Sequence, residues 1–212
     1  MSSTEISTTF SEHAGHRSAG EPVGLPEKPG TAQPGIGQGI AEKPTASVSG
    51  QEFTSDPAEM RSAFSGFPSG VAALAAMVGG DPVVMICSSF SVGVSYDPPM
   101  VSFAVQRSST TWPVLAAALA IGVSILGEGH SGRTSQLASR DKGKRLSGLR
   151  IAEAASGAIF LSGSPMQLEC VVEHSYPAGD HDIIVLRVVS LRSDDSPGPL
   201  VWHQRRSKTL AG

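Results

Sequence analysis

Eight hydroxyl side chains crowd one short stretch of this chain: Ser88, Ser89, Ser91 and Ser95, then Ser108, Ser109, Thr110 and Thr111. They border the apolar runs "VVMIC" and "MVSFAV", so small hydrogen-bonding groups stand where strands would end. Two readings fit that pattern. In the first, Ser and Thr satisfy loop backbone groups locally. In the second, a polar ligand lies along the strand ends, held by backbone amides and hydroxyls, with an anionic group near "RSSTTW". Arg107 would supply charge there, and Thr110, Thr111 and the amides opening the next helix would supply donors.

Other chemistry finds little support. "SFSGF" and "SGSPM" lack the spacing of a nucleophile elbow. Asp180, His181 and Asp182 are adjacent, and on an extended chain they point to alternating faces, so they cannot converge on one metal ion. No Cys or His pair has zinc-site spacing, and no metal site is expected. "GIGQG" resembles a dinucleotide loop only superficially, because no strand precedes it and prolines flank it.

The elements that must position the hydroxyls come from a chain of 212 residues, 40% hydrophobic and 17% charged, which suits one domain with a sizeable core. A net charge of -3 and a pI near 6.1 give no electrostatic footprint for nucleic acid or an anionic membrane. No apolar run has bilayer-spanning length, and "MSSTEISTTF" lacks the features of a secretory signal. Cys87 and Cys170 both lie in strand-like runs, which favours reduced, buried thiols and a cytoplasmic location over a secreted disulfide.

Residues 1–50 are rich in Gly, Pro, Ser, Thr and Glu and are expected to be a disordered tail; residues 51–212 are expected to fold. "DPAEMRSAFSGF" predicts an amphipathic helix with Asp56 as N-cap, Pro57 at N1 and Glu59 at N3 in a capping box, ended by "FPSG". Strands are expected at Val71–Met77, Val83–Phe90, Met100–Val105, Ile121–Leu126, Gln167–His174, Asp182–Leu191 and Leu200–His203. Helices are expected at about Thr111–Leu119 and across Ser131–Asp141. Many short strands with few helices predict a mainly β protein, a small barrel or sandwich, not a parallel βαβ sheet.

Five segments occur in order: "MRSAFSGFPSGV", "CSSFSVGVSYDPPMV", "QRSSTTWPVL", "AGDHDIIVLRV" and "GPLVWHQRR". Together, from about Glu59 to Leu210, they closely resemble the short-chain flavin reductase family, the reductase components of two-component flavin-dependent monooxygenases. The resemblance implies a split β-barrel that binds FMN or FAD, forms a homodimer, and passes reduced flavin to a separate oxygenase. It implies that the Val84–Ser89 strand (Val84, Met85, Ile86, Cys87, Ser88, Ser89) runs along the isoalloxazine ring. Ala104, Val105 and Gln106 would line the ribityl chain, Ser109, Thr110 and Thr111 would contact phosphate, and His181 would meet NADH or NADPH.

On this reading hydride passes from nicotinamide C4 to flavin N5, so the protein needs ring-stacking geometry more than a strong acid or base. Cys87 is then a packing choice and not a redox centre, while Trp112 and Trp202 read as core or interface residues. Three departures from the family pattern stand out: Ser124, Leu146 in "GKRL", and Gly93. Two alternatives stay open. One is a flavin-binding or delivery module without nicotinamide turnover; the other is an oxidase of the pyridoxamine-phosphate type, which the "GDH" and "SSF…DPP" segments fit less well.

Overall fold

Period-two alternation in "VAALAAM" dictates the centre of the molecule. In the computed structural model, which describes residues 53–195 and 197–210, Ala72, Leu74 and Ala76 face one buried cluster. Val71, Ala73 and Ala75 face a second cluster on the other side. The expected tail at residues 1–50 lies outside the described residues.

Twelve strands are seen among the described residues: β1 (Ser69–Gly70), β2 (Ala72–Val78), β3 (Asp81–Cys87), β4 (Ser91–Tyr96), β5 (Pro99–Gln106), β6 (Ile121–Ile125), β7 (Ile151–Glu153), β8 (Ile159–Leu161), β9 (Met166–Ala178), β10 (His181–Ser193), β11 (Leu200–His203) and β12 (Arg206–Thr209). Three short helices join them: α1 (Pro57–Phe64), α2 (Trp112–Leu115) and α3 (Thr134–Leu137). Seven strands form one antiparallel sheet in the order β3-β2-β6-β9-β10-β5-β4, which does not close on itself. This is a split barrel, mainly β, with β1, β11 and β12 in a second small sheet and β7 with β8 in a third.

All seven expected strands are present, and the differences have local causes. The strand expected to reach Phe90 stops at Cys87, because Ser89 leaves the ladder and bonds by its side chain: Oγ accepts from the Ala104 amide at 3.0 Å and donates to the Ala104 carbonyl at 3.1 Å. The serine-rich run read as a loop contains β4, whose register shifts between Ser91 and Ser95. Gly93 sits in that irregularity at a φ of 72°, and a side chain there would crowd the Tyr96 ring, which accounts for glycine at this departure from the family pattern. The exposed alternation expected for Gln167–His174 breaks at a bulge opposite Val185/Leu186, leaving Val172 partly exposed.

The helices are shorter than expected. α2 ends at Leu115, followed by two i→i+3 bonds, Ala117 to Val114 and Ala118 to Leu115, before β6 begins. Between Glu128 and Arg133, in a segment holding Gly129 and Gly132, the chain forms a 3₁₀ turn leading into α3. Asp56 caps α1 as expected, its Oδ1 accepting from the amides of Ala58 and Glu59 at 2.8 and 2.9 Å. The reciprocal half of the capping box is not made, because Thr54 Oγ1 takes the Asp56 amide at 3.0 Å. The amphipathic face is also not buried; Phe64 and Phe67 are 74% and 77% exposed.

Close approach, not conformational freedom, requires Gly122 on β6. A Cβ there would collide with the backbone of Ile159 on β8, which crosses it. No helix among the described residues is long and apolar enough to cross a membrane. Both cysteines are free.

Candidate functional site

The hydroxyl-rich segments meet at a cleft of about 610 Å³. Its first wall is the end of β3, an edge strand of the large sheet, with Met85, Ile86 and Cys87 continuing into Ser88 and Ser89. The facing wall is the end of β5, Ala104, Val105 and Gln106. Ser89 fastens the two walls through its pair of bonds to Ala104. Met85 and Cys87 pack against one core cluster and Ile86 against the other, so the β3 wall is anchored on both faces.

Past β5, the Ser109 amide donates to the Gln106 carbonyl at 2.9 Å, turning the chain so that Ser109, Thr110 and Thr111 close one end of the cleft. The amides expected to greet an anion are already taken: Ser109 Oγ accepts from Trp112 at 3.1 Å and Thr111 at 3.4 Å. His181 pairs with Gln106 across β10 and β5, which brings it to the cleft. Its Nδ1 lies 2.7 Å from Asp180 Oδ1, and that hydrogen bond holds the Asp180 carboxyl below the usual carboxylate range. Burial pushes the Cys87 thiol up to about 12, against a smaller opposing effect of the Ser89 amide. It therefore stays protonated and unreactive near neutral pH.

All the expected site residues line this cleft except Val84 and Arg107. Val84 is buried in the second core cluster, as the strand alternation demands, and offers only its carbonyl. Arg107 turns to Asp182 instead, its Nε 3.0 Å from Oδ1 in a largely exposed ion pair. Sequence reasoning missed four lining residues: Val71, Thr134, Arg145 and Trp202. Arg145 supplies the positive charge expected from Arg107. Its Nη1 donates to the Val84 carbonyl at 2.7 Å and to Thr111 Oγ1 at 3.2 Å, and partial burial lowers its pKa from the ordinary value. The basic run "KGKR", just before Leu146, was the available signal.

Trp112 packs edge-to-face on Phe103 in the core, centroids 5.1 Å apart, as expected. Trp202 packs against the second core cluster, as expected, and also lines both this cleft and a neighbouring one of about 430 Å³, where Phe64, Phe67 and Phe90 also lie. The larger cleft therefore combines an apolar slot, close backbone and small side chains, and a cationic, hydroxyl-rich end. Among the described residues no cluster of His, Cys, Asp and Glu is suited to a metal ion.

Known proteins share this architecture and sequence. An actinorhodin polyketide dimerase from Streptomyces coelicolor is 33% identical over 159 residues, 74% of this chain and 89% of its own. The reductase component of 4-hydroxyphenylacetate 3-monooxygenase from Thermus thermophilus is 32% identical over 150 residues, 71% of this chain and 94% of its own. The NADH:FAD oxidoreductase of Streptomyces globisporus, solved in complex with NAD and FAD fragments, superposes with a TM-score of 0.68 at 25% identity, covering 74% of this chain and 93% of the other. The model of the flavin reductase like domain matches residues 64–211, well over half of the sequence, and the chain belongs to that family.

Proposed function

We propose that this protein is an NAD(P)H:flavin oxidoreductase that reduces free FMN or FAD and supplies the reduced flavin to a separate oxygenase. The convergence of β3, β5, the 109–111 turn and His181 on one cleft carries this reading. The residues present fit a flavin. Met85, Ile86 and Cys87 give an apolar surface broad enough for a fused ring, while Ser88 and Ser89 let the backbone approach closely. Ser109, Thr111 and Arg145 give the opposite end the donors that an anionic side chain of such a ring requires.

A bound flavin supplies the hydride acceptor at N5, and the nicotinamide supplies the hydride. The chain's own task is positional. The two strand ends fix the plane of the ring, His181 stands where it can orient the nicotinamide nucleotide, and the walls limit water. The Asp180 carboxylate holds the imidazole by Nδ1. Cys87, its thiol kept protonated by burial, is read as a packing residue of the wall.

Residues 51–212 carry the activity in this proposal, supported by the family match over 64–211. The location is cytoplasmic, supported by two free cysteines. The working form is a homodimer, supported by apolar side chains left exposed on the barrel, among them Tyr96, Val189 and Leu191. The decisive test mixes purified full-length protein with FMN or FAD and with NADH or NADPH, following the loss of nicotinamide absorbance. Turnover in at least one combination is expected; flavin binding with none in any combination means a delivery module instead.

A further inference from the structure

The charge of this chain is unevenly spread. Residues 131–150 hold Arg133, Arg140, Lys142, Lys144, Arg145 and Arg150 against one carboxylate, Asp141, although the whole chain has a net charge of -3. The turn and second strand of the β11–β12 hairpin add Arg205, Arg206 and Lys208 with no carboxylate, so nine of the sixteen Lys and Arg lie in these two segments. The segments are neighbours in space: Ser207 Oγ of β12 donates to the Ser131 carbonyl at 3.3 Å. Gln136 knits the longer one together, its Nε2 lying 3.1, 3.2 and 2.7 Å from the carbonyls of Lys144, Arg145 and Ser147.

Both segments border the cleft. Thr134 and Arg145 of the first and Trp202 beside the second line it, with Arg133, Lys144 and Arg205 within a few positions along the chain. All nine cations except Arg145 are exposed. Outside these segments, Arg107 and Arg187 are each paired with a carboxylate. Within them, Lys144 alone has such a partner among the described residues, Asp141 at 3.2 Å in an exposed pair. Unpaired like charges around a concave mouth repel one another and focus a positive field outward. The kind of anion that field suits follows from what the surface lacks. From Glu128 to Arg150 no large hydrophobic side chain is exposed. A protein partner needs apolar or aromatic anchors at the centre of its footprint, and a small mobile anion does not.

We infer that this basic sector is an electrostatic guide for phosphorylated nucleotides, drawing them to the cleft mouth without holding them once they are seated. The inference rests on the proposed nucleotide site and goes beyond it by giving a capture step to exposed cations that line no part of the cleft. Charges of this kind act during the encounter, over about 8 Å at physiological ionic strength. They raise the association rate and leave dissociation to the groups in contact with the ligand.

The test compares the full-length protein with a triple variant, Arg140→Gln, Lys144→Gln and Arg206→Gln. Among the described residues these side chains make no hydrogen bond or ion pair except the exposed Lys144–Asp141 pair, so the fold is not at stake. Stopped-flow fluorescence reads association and dissociation rates for FMN and for uncharged riboflavin. At saturating flavin, kcat/KM reads the capture of NADH and of an uncharged hydride donor, N-benzyl dihydronicotinamide. At low salt the variant is expected to capture the phosphorylated nucleotide about 10-fold more slowly, with dissociation within about twofold and the uncharged counterpart unchanged. Raised salt is expected to erase the difference between the two proteins. Slowing of FMN, of NADH or of both identifies which nucleotide is guided. Unchanged capture of both overturns the inference, as does equal slowing of the uncharged ligands, or a loss that lies in the dissociation rate. Wild type that binds neither flavin at any salt defeats the flavin-site reading itself, before any substitution enters.

Discussion

The apolar wall and the cationic end of the cleft are built on different principles. The wall consists of the ends of two strands, Met85–Cys87 and Ala104–Gln106, held by sheet register, by packing on two core clusters, and by the single side-chain rung of Ser89. It carries no charge. The cationic end draws Ser109, Thr110, Thr111, Thr134 and Arg145 from three separate segments and is joined by side-chain donors. A flat ring demands shape, which strand geometry supplies cheaply. A phosphate demands convergent donors, which need side chains reaching over from irregular segments.

If that division is right, damage to the sheet harms both ends alike, whereas damage to the donors harms one. The largest effect is expected from Gly122→Ala. β6 pairs with β2, the neighbour of β3, and the new methyl group would meet the backbone of Ile159, which cannot swing aside as a side chain does. Overpacking against backbone is expected to cost about 3 kcal/mol. For a domain of this size that lowers Tm by about 6–12 °C, readable by thermal denaturation. FMN and riboflavin affinities should fall together.

Thr111→Val is the corresponding change at the other end. Valine keeps the volume but removes the acceptor of Arg145 and one outward donor. FMN affinity should drop about tenfold, the scale of one charge-assisted hydrogen bond, with riboflavin within about twofold. A parallel loss of both flavins would mean that Thr111 supports the wall and that the two ends are one structure.

The strands that carry the wall were legible from apolar runs, but their assignment to a cleft came from the family resemblance, because consecutive residues of β3 and β5 line it and alternation does not single them out. Val84 is the exception: it is buried in the second core cluster, while Met85, Ile86 and Cys87 after it line the cleft. The cationic end was half legible. Ser109, Thr110 and Thr111 follow soon after the strand, but Arg145 reaches the cleft only through the tertiary placement of a second 3₁₀ turn, Lys142–Lys144, that no periodicity marks. α1 shows another limit. Its apolar residues have helical spacing, which predicts the helix correctly but cannot reveal that the face is left open to solvent.

His181 tests a third element, the nicotinamide side. It comes to the cleft through the β10–β5 register, opposite Gln106 of the wall, with its ring held by Asp180 and not by the donors of the cationic end. His181→Ala should raise the KM for NADH or NADPH about fivefold, the loss of roughly one hydrogen bond, and leave flavin Kd within about twofold. Steady-state kinetics beside a flavin titration reads both. Equal losses would join His181 to the flavin wall.

The smallest effect belongs to Arg107, and it sharpens the comparison most. By sequence alone it is the natural cation for the cationic end, adjacent to the hydroxyl run and following the β5 wall. Its neighbour across the ladder decides otherwise. β10 brings Asp182 opposite Val105, and the Arg107 guanidinium closes on that carboxylate at 3.0 Å, outside the cleft. Surface pairs of this kind contribute about 0–1 kcal/mol, so Arg107→Gln should barely move Tm. It should also leave the FMN affinity within about twofold, because in the proposed site the charge facing an anion would be that of Arg145, held by the Val84 carbonyl and Thr111. A loss as large as that of Thr111→Val would mean that the ion pair opens when the ligand arrives, and that adjacency in sequence had named the cation correctly after all.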